Sequence, residues 1–493
     1  MLVMNRTPKF SLFLWGVFLG AVFLFSVVAS EQDYAPEFEV WGVFHYYLGA
    51  KYFDEVGYAH LYTCALTADE ESTNALSDVR LVRDMANYAV VPRDSLPPCP
   101  REQFTAERWK DFSNDVGALS SRAAPEYYQE LFTDKGFNPT PFWAVVAKRV
   151  ANLISLQNPV ETAIVFNLDI AAFVFAGFFV WMLYGNMAAL LFATLVVFYF
   201  GNPGRIGGNF LQYAWFLLLV ASIYFWEKGK PSQSGALLGL STGLQIFPLL
   251  FAVPMLFLAL RTVVFGNEEG RASPWRFSAW FFGVCIATLL IGSISAWGVG
   301  GWMDWEKKIS LHKYYLQGEI FNIGLANFVS TAVSPSRPTV KHYAQDAPHT
   351  AMQLEALRSH RLTYYFLAGL LLLGWLFLLL YRRTFPVFGL GYIMLYALFS
   401  LSPYYWVILT LVPFAFWNSP QPLRAFALYG TAALFLMHVP LLLKGYVTFV
   451  YRDHLASELL VFAFIVGLIV MGIVTREKKP RPKENLFSMD FTS

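Results

Sequence analysis

Residues 31–62 read EQDYAPEFEVWGVFHYYLGAKYFDEVGYAHLY. They gather Asp33, Glu37 and Glu39, then Trp41, His45, Tyr46, Tyr47 and Lys51, then Asp54 and Glu55. A carboxylate beside a membrane surface can act as a general base, because partial desolvation disfavours its charged form and raises its pKa. The plainer alternative for this stretch is a solvated loop followed by an aromatic helix at an interface. Asp169, in NLDIAAF, lies inside an apolar run, where a charge is costly and points either to function or to pairing with Lys148 or Arg149. Arg205 and Asn209, in GNPGRIGGNFLQ, stand among glycines. Glycine permits close backbone approach, and arginine binds phosphate bidentately. The alternative there is a loop with a snorkelling arginine.

Several chemistries lack their motifs. The chain has no Walker sequence, dinucleotide fingerprint, HExxH or GxSxG. No series of ionisable residues threads the apolar runs as a proton relay would. Three cysteines are too few for a disulfide framework or a zinc cluster. Cys285 lies in an apolar run and reads as packing, whereas Cys64 and Cys99 share one loop and could pair in an oxidising compartment.

The elements that must position these residues are apolar. Of the 493 residues, 56% are hydrophobic and only 14% charged, against about 25% charged in soluble domains. Many apolar runs approach the ~20 residues that cross a bilayer core. The expected class is an all-α polytopic membrane protein of about 12 transmembrane helices with a helical external loop domain. A net charge of +2 implies no nucleic-acid partner.

The expected organisation is as follows. Residues 1–30 form a cytoplasmic tail and a first helix, retained rather than cleaved as a signal peptide. Residues 31–158 form the external domain, with helices expected over 70–88 and 105–132. Membrane helices fill 159–298, a second external segment with Trp302, Trp305, His312, Tyr314, Tyr315 and Asn322 fills 299–361, and further helices occupy 362–475. A basic cytoplasmic tail, 476–493, ends the chain. Alternating the spans puts Lys228, Lys230, Arg261, Arg276, Arg382 and Arg424 inside, provided that 234–263 enters and returns as two short helices broken near 245–248. Such a break belongs where it lines a cavity. Both termini are then cytoplasmic, in a plasma membrane of bacterial inner-membrane type.

This order of parts resembles the GT-C superfamily of membrane glycosyltransferases, and most of all its polyprenyl-phosphate-mannose-dependent branch, glycosyltransferase family 87. Three stretches carry the likeness: HYYLGAKYFDEVGYAHLY, GFNPTPFWAVVAKRVANL, and RIGGNFLQYAWFLLL with GALLGLSTGLQIFP. The chain has Gly208 where the family has glutamine and Gln245 where it has lysine. Glu39 is the nearest carboxylate to the family's aspartate position. The resemblance implies transfer of a sugar, a mannose-like hexose, from a polyprenyl-phosphate donor to a glycan or glycolipid hydroxyl on the external face. Glu39 or Asp33 would be the base. Arg205, Asn209 and Gln245 would face the donor phosphate, with Arg80 or Arg83 in support. Trp41, His45, Tyr46, Tyr47 and Asn322 would contact sugar or lipid. The lipid-linked sugar would be the donor substrate and the bilayer the surrounding partner, with no metal ligands assigned. Two other classes share the layout: a non-catalytic partner that keeps the fold, and a lipid or solute transporter.

Overall fold

A computed structural model describes residues 40–198, 209–265, 272–295, 297–319, 322–334, 339–340, 347–382, 386–443 and 449–475. Asp33, Glu39, Arg205, the first apolar run and the basic tail lie outside these residues.

The described chain is predominantly helical. It begins with a continuous helical rod made of Val40–Gly42, Val43–Leu48 and Gly49–Lys51. Its middle segment is a π-helix, a wide turn often found at functional sites. The rod is followed by helices Leu61–Glu70, Ala106–Ser120, Pro125–Leu131 and Pro141–Ala151, which form a layer around it. Two of these starts are capped as their sequences dictate. The Thr105 hydroxyl accepts the Arg108 N–H at 3.2 Å and the Thr140 hydroxyl accepts the Trp143 N–H at 3.1 Å, satisfying amide groups that a helix leaves open.

Residues 70–88 do not form the expected helix. The carboxylate of Asp69 accepts the N–H groups of Ala75 at 3.1 Å and Leu76 at 2.8 Å, and so closes a turn. Asn74, at φ 53°, reverses the chain there. A short antiparallel hairpin then pairs Leu81 with Pro92, Val82 with Val91 and Arg83 with Val90. Charged side chains at helical spacing were the misleading signal, and local side-chain bonds to the backbone overrode it.

Cys64 and Cys99 form a disulfide, with their Cα atoms 4.7 Å apart. It ties helix Leu61–Glu70 to the proline-rich stretch that follows the hairpin. Loop-closure entropy makes a bridge of this span worth about 3–4 kcal/mol. Cys99→Ser should therefore lower the melting temperature of the layer by several degrees, and reductant should have no further effect on that variant. An unchanged melt, followed by near-ultraviolet dichroism, would show that the bridge does not hold the layer.

The remaining helices form a bundle whose members run alternately between two ends. Ala214–Glu227 and Pro231–Leu244 are antiparallel: the Ser222 hydroxyl meets Ser234 and the Ser241 hydroxyl donates to the Trp215 carbonyl. Pro231–Leu244 and Ala272–Gly292 instead run parallel. Gly235, Gly239 and Gly243 face Phe277, Phe281 and Thr288 in that order, so closely that a Cβ on Gly235 would stand 2.1 Å from the Phe277 carbonyl oxygen. Helix Leu249–Phe265 lies between them in sequence. Continued upward, it would end about 45 Å above the start of the next helix. The seven Cα steps to Ala272 span only about 25 Å, so it must return. Arg261 confirms this by donating to the Leu380 carbonyl at 3.4 Å.

One end of the bundle therefore collects the basic positions. Trp226 packs on Phe277 and Phe388, Asn418 donates to Glu227, and Arg382 donates to the Ile473 carbonyl. Lys228, Lys230, Arg276 and Arg424 adjoin these contacts in sequence. The opposite end carries the N-terminal layer, where Trp143 Nε1 donates to the Leu211 carbonyl at 3.2 Å and the Thr140 hydroxyl to that of Gly243 at 2.5 Å. Helices Gly298–Leu316, Leu325–Val333 and Ala347–Ser359 join this end, and Ile323 bridges to Leu401.

Among the described residues four helices are long and apolar enough to cross a membrane by length and composition: Pro159–Tyr184, Pro274–Gly292, Arg361–Tyr381 and Leu455–Val474. Their outward faces expose large apolar side chains such as Phe175, Phe178, Phe282, Ile286, Phe366 and Leu373.

Candidate functional site

Asp134 lies in the turn after helix Pro125–Leu131, between Phe132 and Phe137. Gly136, at φ 67°, allows the chain to reverse there. The Asp134 carboxylate accepts Trp41 Nε1–H at 2.9 Å, and His45 Nδ1 stands 3.8 Å from the same oxygen. Trp41 is itself fixed, since its backbone N–H donates to the Tyr127 hydroxyl at 3.0 Å. His45 Nε2 lies 2.8 Å from the Tyr62 hydroxyl, which also reaches the Leu131 carbonyl. His45 is 3% exposed, whereas the Asp134 side chain is 22% exposed. The carboxylate thus sits in a packed setting with an open edge.

Further positive groups surround it. Lys135 pairs with the buried Glu319, which accepts Asn322 Nδ2–H at 2.5 Å. Lys308 and His312 project from helix Gly298–Leu316 towards the same turn. Arg83 donates to the carbonyls of Thr133 and Tyr88.

These neighbours set the protonation states. Burial pushes the His45 imidazole down to about 4; Asp134 opposes this and Lys308 adds to it. Burial acts to raise the Asp134 carboxyl, but positive charge on His45 and Lys135 and hydrogen bonds from Trp41 and the Lys135 N–H outweigh it. The net position of Asp134 is below the ordinary carboxylate range. His45 is neutral above about pH 4, so its charge helps only in acid. At neutral pH the lysine and the two hydrogen bonds keep Asp134 ionised.

The sequence candidates fall into three groups. Trp41 and His45 meet at Asp134. Tyr46, the next residue, turns towards the bundle: its hydroxyl is 3.5 Å from that of Tyr405, which accepts Gln245 Nε2–H at 2.6 Å. Gln245 follows the last residue of helix Pro231–Leu244, and the chain resumes as helix at Leu249. Tyr46 also feels the Asp134 charge, so these two clusters adjoin.

Tyr47 turns into the interior, donating to the Ile154 carbonyl at 2.8 Å and receiving Lys51 Nζ at 2.9 Å. Asn209 is buried beside Phe210, which packs on Tyr47 and Trp143. Asn322 joins the Asp134 turn through Glu319 and Lys135. Glu39, Asp33 and Arg205 fall outside the described residues.

Other charged candidates are structural. Asp169 does not pair with Lys148 or Arg149; it accepts the Gln212 and Tyr213 N–H groups, at 3.2 and 2.8 Å. Lys148 binds Asp54, and Arg108 binds Glu55 at 2.6 Å. Arg80 sits on the exposed surface near Asp78.

Sequence reading missed Asp134, Lys135, Lys308 and Tyr405. The only local sign was an Asp-Lys-Gly turn between two phenylalanines. Chemically, the cluster offers one ionised carboxylate with a solvent edge, two half-buried aromatic rings in Trp41 and Tyr46, and a cationic flank. Among the described residues no group of three or more His, Cys, Asp or Glu side chains could hold a metal ion. The chain matches no protein-family model, no curated protein and no solved structure.

Proposed function

We propose that this chain is a polytopic membrane glycosyltransferase, which moves a hexose from a polyprenyl-phosphate donor to an acceptor hydroxyl at the Asp134 end of the bundle. The observation that carries the reading is the ionised, partly exposed Asp134 carboxylate held by Trp41 beside Tyr46 and the Gln245 helix break. In the proposed step the acceptor oxygen forms a bond to the anomeric carbon while its proton passes to Asp134. The bond from that carbon to the phosphate oxygen breaks, and polyprenyl phosphate leaves with the electron pair. A carboxylate of low pKa suffices, because the hydroxyl becomes acidic as it bonds to an oxocarbenium-like centre. Trp41 and Tyr46 supply apolar faces for the sugar ring.

Three features support the membrane setting: the four long apolar helices, the apolar side chains on their outward faces, and the gathering of basic residues at one end. Cytoplasmic loops carry an excess of lysine and arginine, so the basic end is assigned inside. The disulfide then falls on the oxidising side. On intact cells, a membrane-impermeant maleimide should label a cysteine placed at the exposed Asp111 and spare one at the exposed Asn418. The opposite pattern would invert the assignment.

The activity is tested with purified protein in liposomes. Polyprenyl-phosphate mannose and polyprenyl-phosphate glucose are supplied with a panel of glycolipid acceptors. Absence of transfer from every such donor by folded, disulfide-bonded protein overturns the reading.

A further inference from the structure

Lys308 is 5% exposed, yet no carboxylate lies within ion-pair distance of it among the described residues. Its ammonium group has three N–H donors. One reaches the Tyr58 carbonyl at 3.1 Å, and another points at the weak acceptor Met85 Sδ at 3.6 Å. Burial pushes this lysine down to about 7, with Asp134 opposing. The ammonium also lies close to the Asp134 turn, since a Cβ built on Gly136 would be 3.5 Å from Lys308 Nζ. His312 follows one helical turn later and faces the same side. Its Nδ1 is buried with no hydrogen-bond partner, while its ring stands 6.3 Å from that of Tyr88. Lys308, Arg83 and Lys135 place positive charge around His312, Lys135 being paired with Glu319, and Asp134 places negative charge there.

A buried ammonium with spare donor capacity is costly unless something accepts its hydrogen bonds. Side chains one turn apart have Cβ atoms about 5–6 Å from each other, a span that one tetrahedral oxyanion can bridge. We propose that Lys308 and His312 form a subsite for a singly charged phosphodiester, entered along the half-buried edge of His312. The inference rests on the glycosyl-transfer reading only for the identity of that ligand, the phosphate of a lipid-linked sugar. It places the phosphate on helix Gly298–Leu316, apart from Asn209 and Gln245.

The sign of the pH dependence follows from the lysine. The anion binds the protonated form, so affinity is full below pH 7 and falls above it. A phosphodiester keeps its charge over this range, so the change belongs to the protein.

The test uses the full chain in nanodiscs with dibutyl phosphate and farnesyl-phosphoryl-mannose as probes, and follows binding by phosphorus NMR and by melting temperature. Both probes should bind about tenfold more tightly at pH 6 than at pH 8. Lys308→Met, which fills the same space without charge, should weaken both at least tenfold and abolish the pH dependence. His312→Phe should weaken both while keeping it. The melting temperature of each variant without probe reports folding. Equal binding by wild type and Lys308→Met overturns the subsite, as does a flat pH profile. Binding of dibutyl phosphate with the expected losses, but no transfer from any donor, upholds the subsite and defeats the glycosyl-transfer reading. Transfer with an unchanged KM in Lys308→Met does the reverse.

Discussion

Asp134→Asn is expected to lower sugar transfer by about 10²–10⁴-fold while leaving the melting temperature within a few degrees of wild type. Asparagine keeps an oxygen for Trp41 Nε1–H, which the carboxylate now accepts at 2.9 Å, so the turn keeps its main tether. What is lost is the group that takes the acceptor proton. The pH profile supplies a second reading. Asp134 is held below the ordinary carboxylate position, about 3.9, by His45, Lys135 and its hydrogen bonds against the opposing effect of burial. The base is ionised above that point, so the wild-type rate should stay level from neutral pH to below pH 4. Lys135→Met should move this acid limb upward. If Asp134→Asn transfers sugar at the wild-type rate, Asp134 is not the base, and Glu39→Gln and Asp33→Asn become the variants to assay.

Glu319→Gln should destabilise the protein by about 3–5 kcal/mol, because it strips a buried ammonium of its carboxylate. Glu319 is 5% and Lys135 6% exposed, and the two are in direct contact. The pair joins the N-terminal layer to the segment after helix Gly298–Leu316, so its loss should loosen the interface in which Asp134, Lys308 and His312 meet. The double variant Lys135→Met with Glu319→Gln should recover most of the loss. The ammonium is then gone, and glutamine still offers Asn322 an acceptor in place of the present 2.5 Å bond. Denaturant unfolding of the four proteins measures the cycle. A coupling near zero would show that the pair contributes nothing beyond its separate side chains.

The helical class was legible because long apolar runs admit few alternatives, whereas of the about 12 membrane-length helices expected four stand among the described residues. The break near 245–248 was inferred from the alternation of basic residues and corresponds to the gap between Leu244 and Leu249. The layer was harder to read. Over 70–88, charged residues fell at helical spacing, while Asp69 and Asn74 built a turn instead. The site was only half visible. Trp41, His45 and Tyr46 stood out as polar aromatics, but their partners are distant in sequence. Asp134 lies 93 residues from Trp41, and Tyr405 lies 359 from Tyr46. No periodicity marks a three-residue turn, and Lys308 lay in an external segment where its aromatic neighbours, not the lysine, drew notice. Chemistry assembled by tertiary contact leaves little local trace.

The Thr140 hydroxyl donates to the Gly243 carbonyl, one of the four carbonyls that a helix ending at Leu244 leaves open. The N-terminal layer thus supplies the stop for a helix that lies about a hundred residues further along the chain. Synthesis delivers these parts in a useful order. The layer emerges from the ribosome first and can close its disulfide before the glycine-rich helix arrives. That helix then docks against a surface already waiting to terminate it, so folding should run from the layer to the pair Pro231–Leu244 and Leu249–Phe265. A layer delayed in folding would leave that helix without its stop, free to run on through Gln245 into the next as one straight rod.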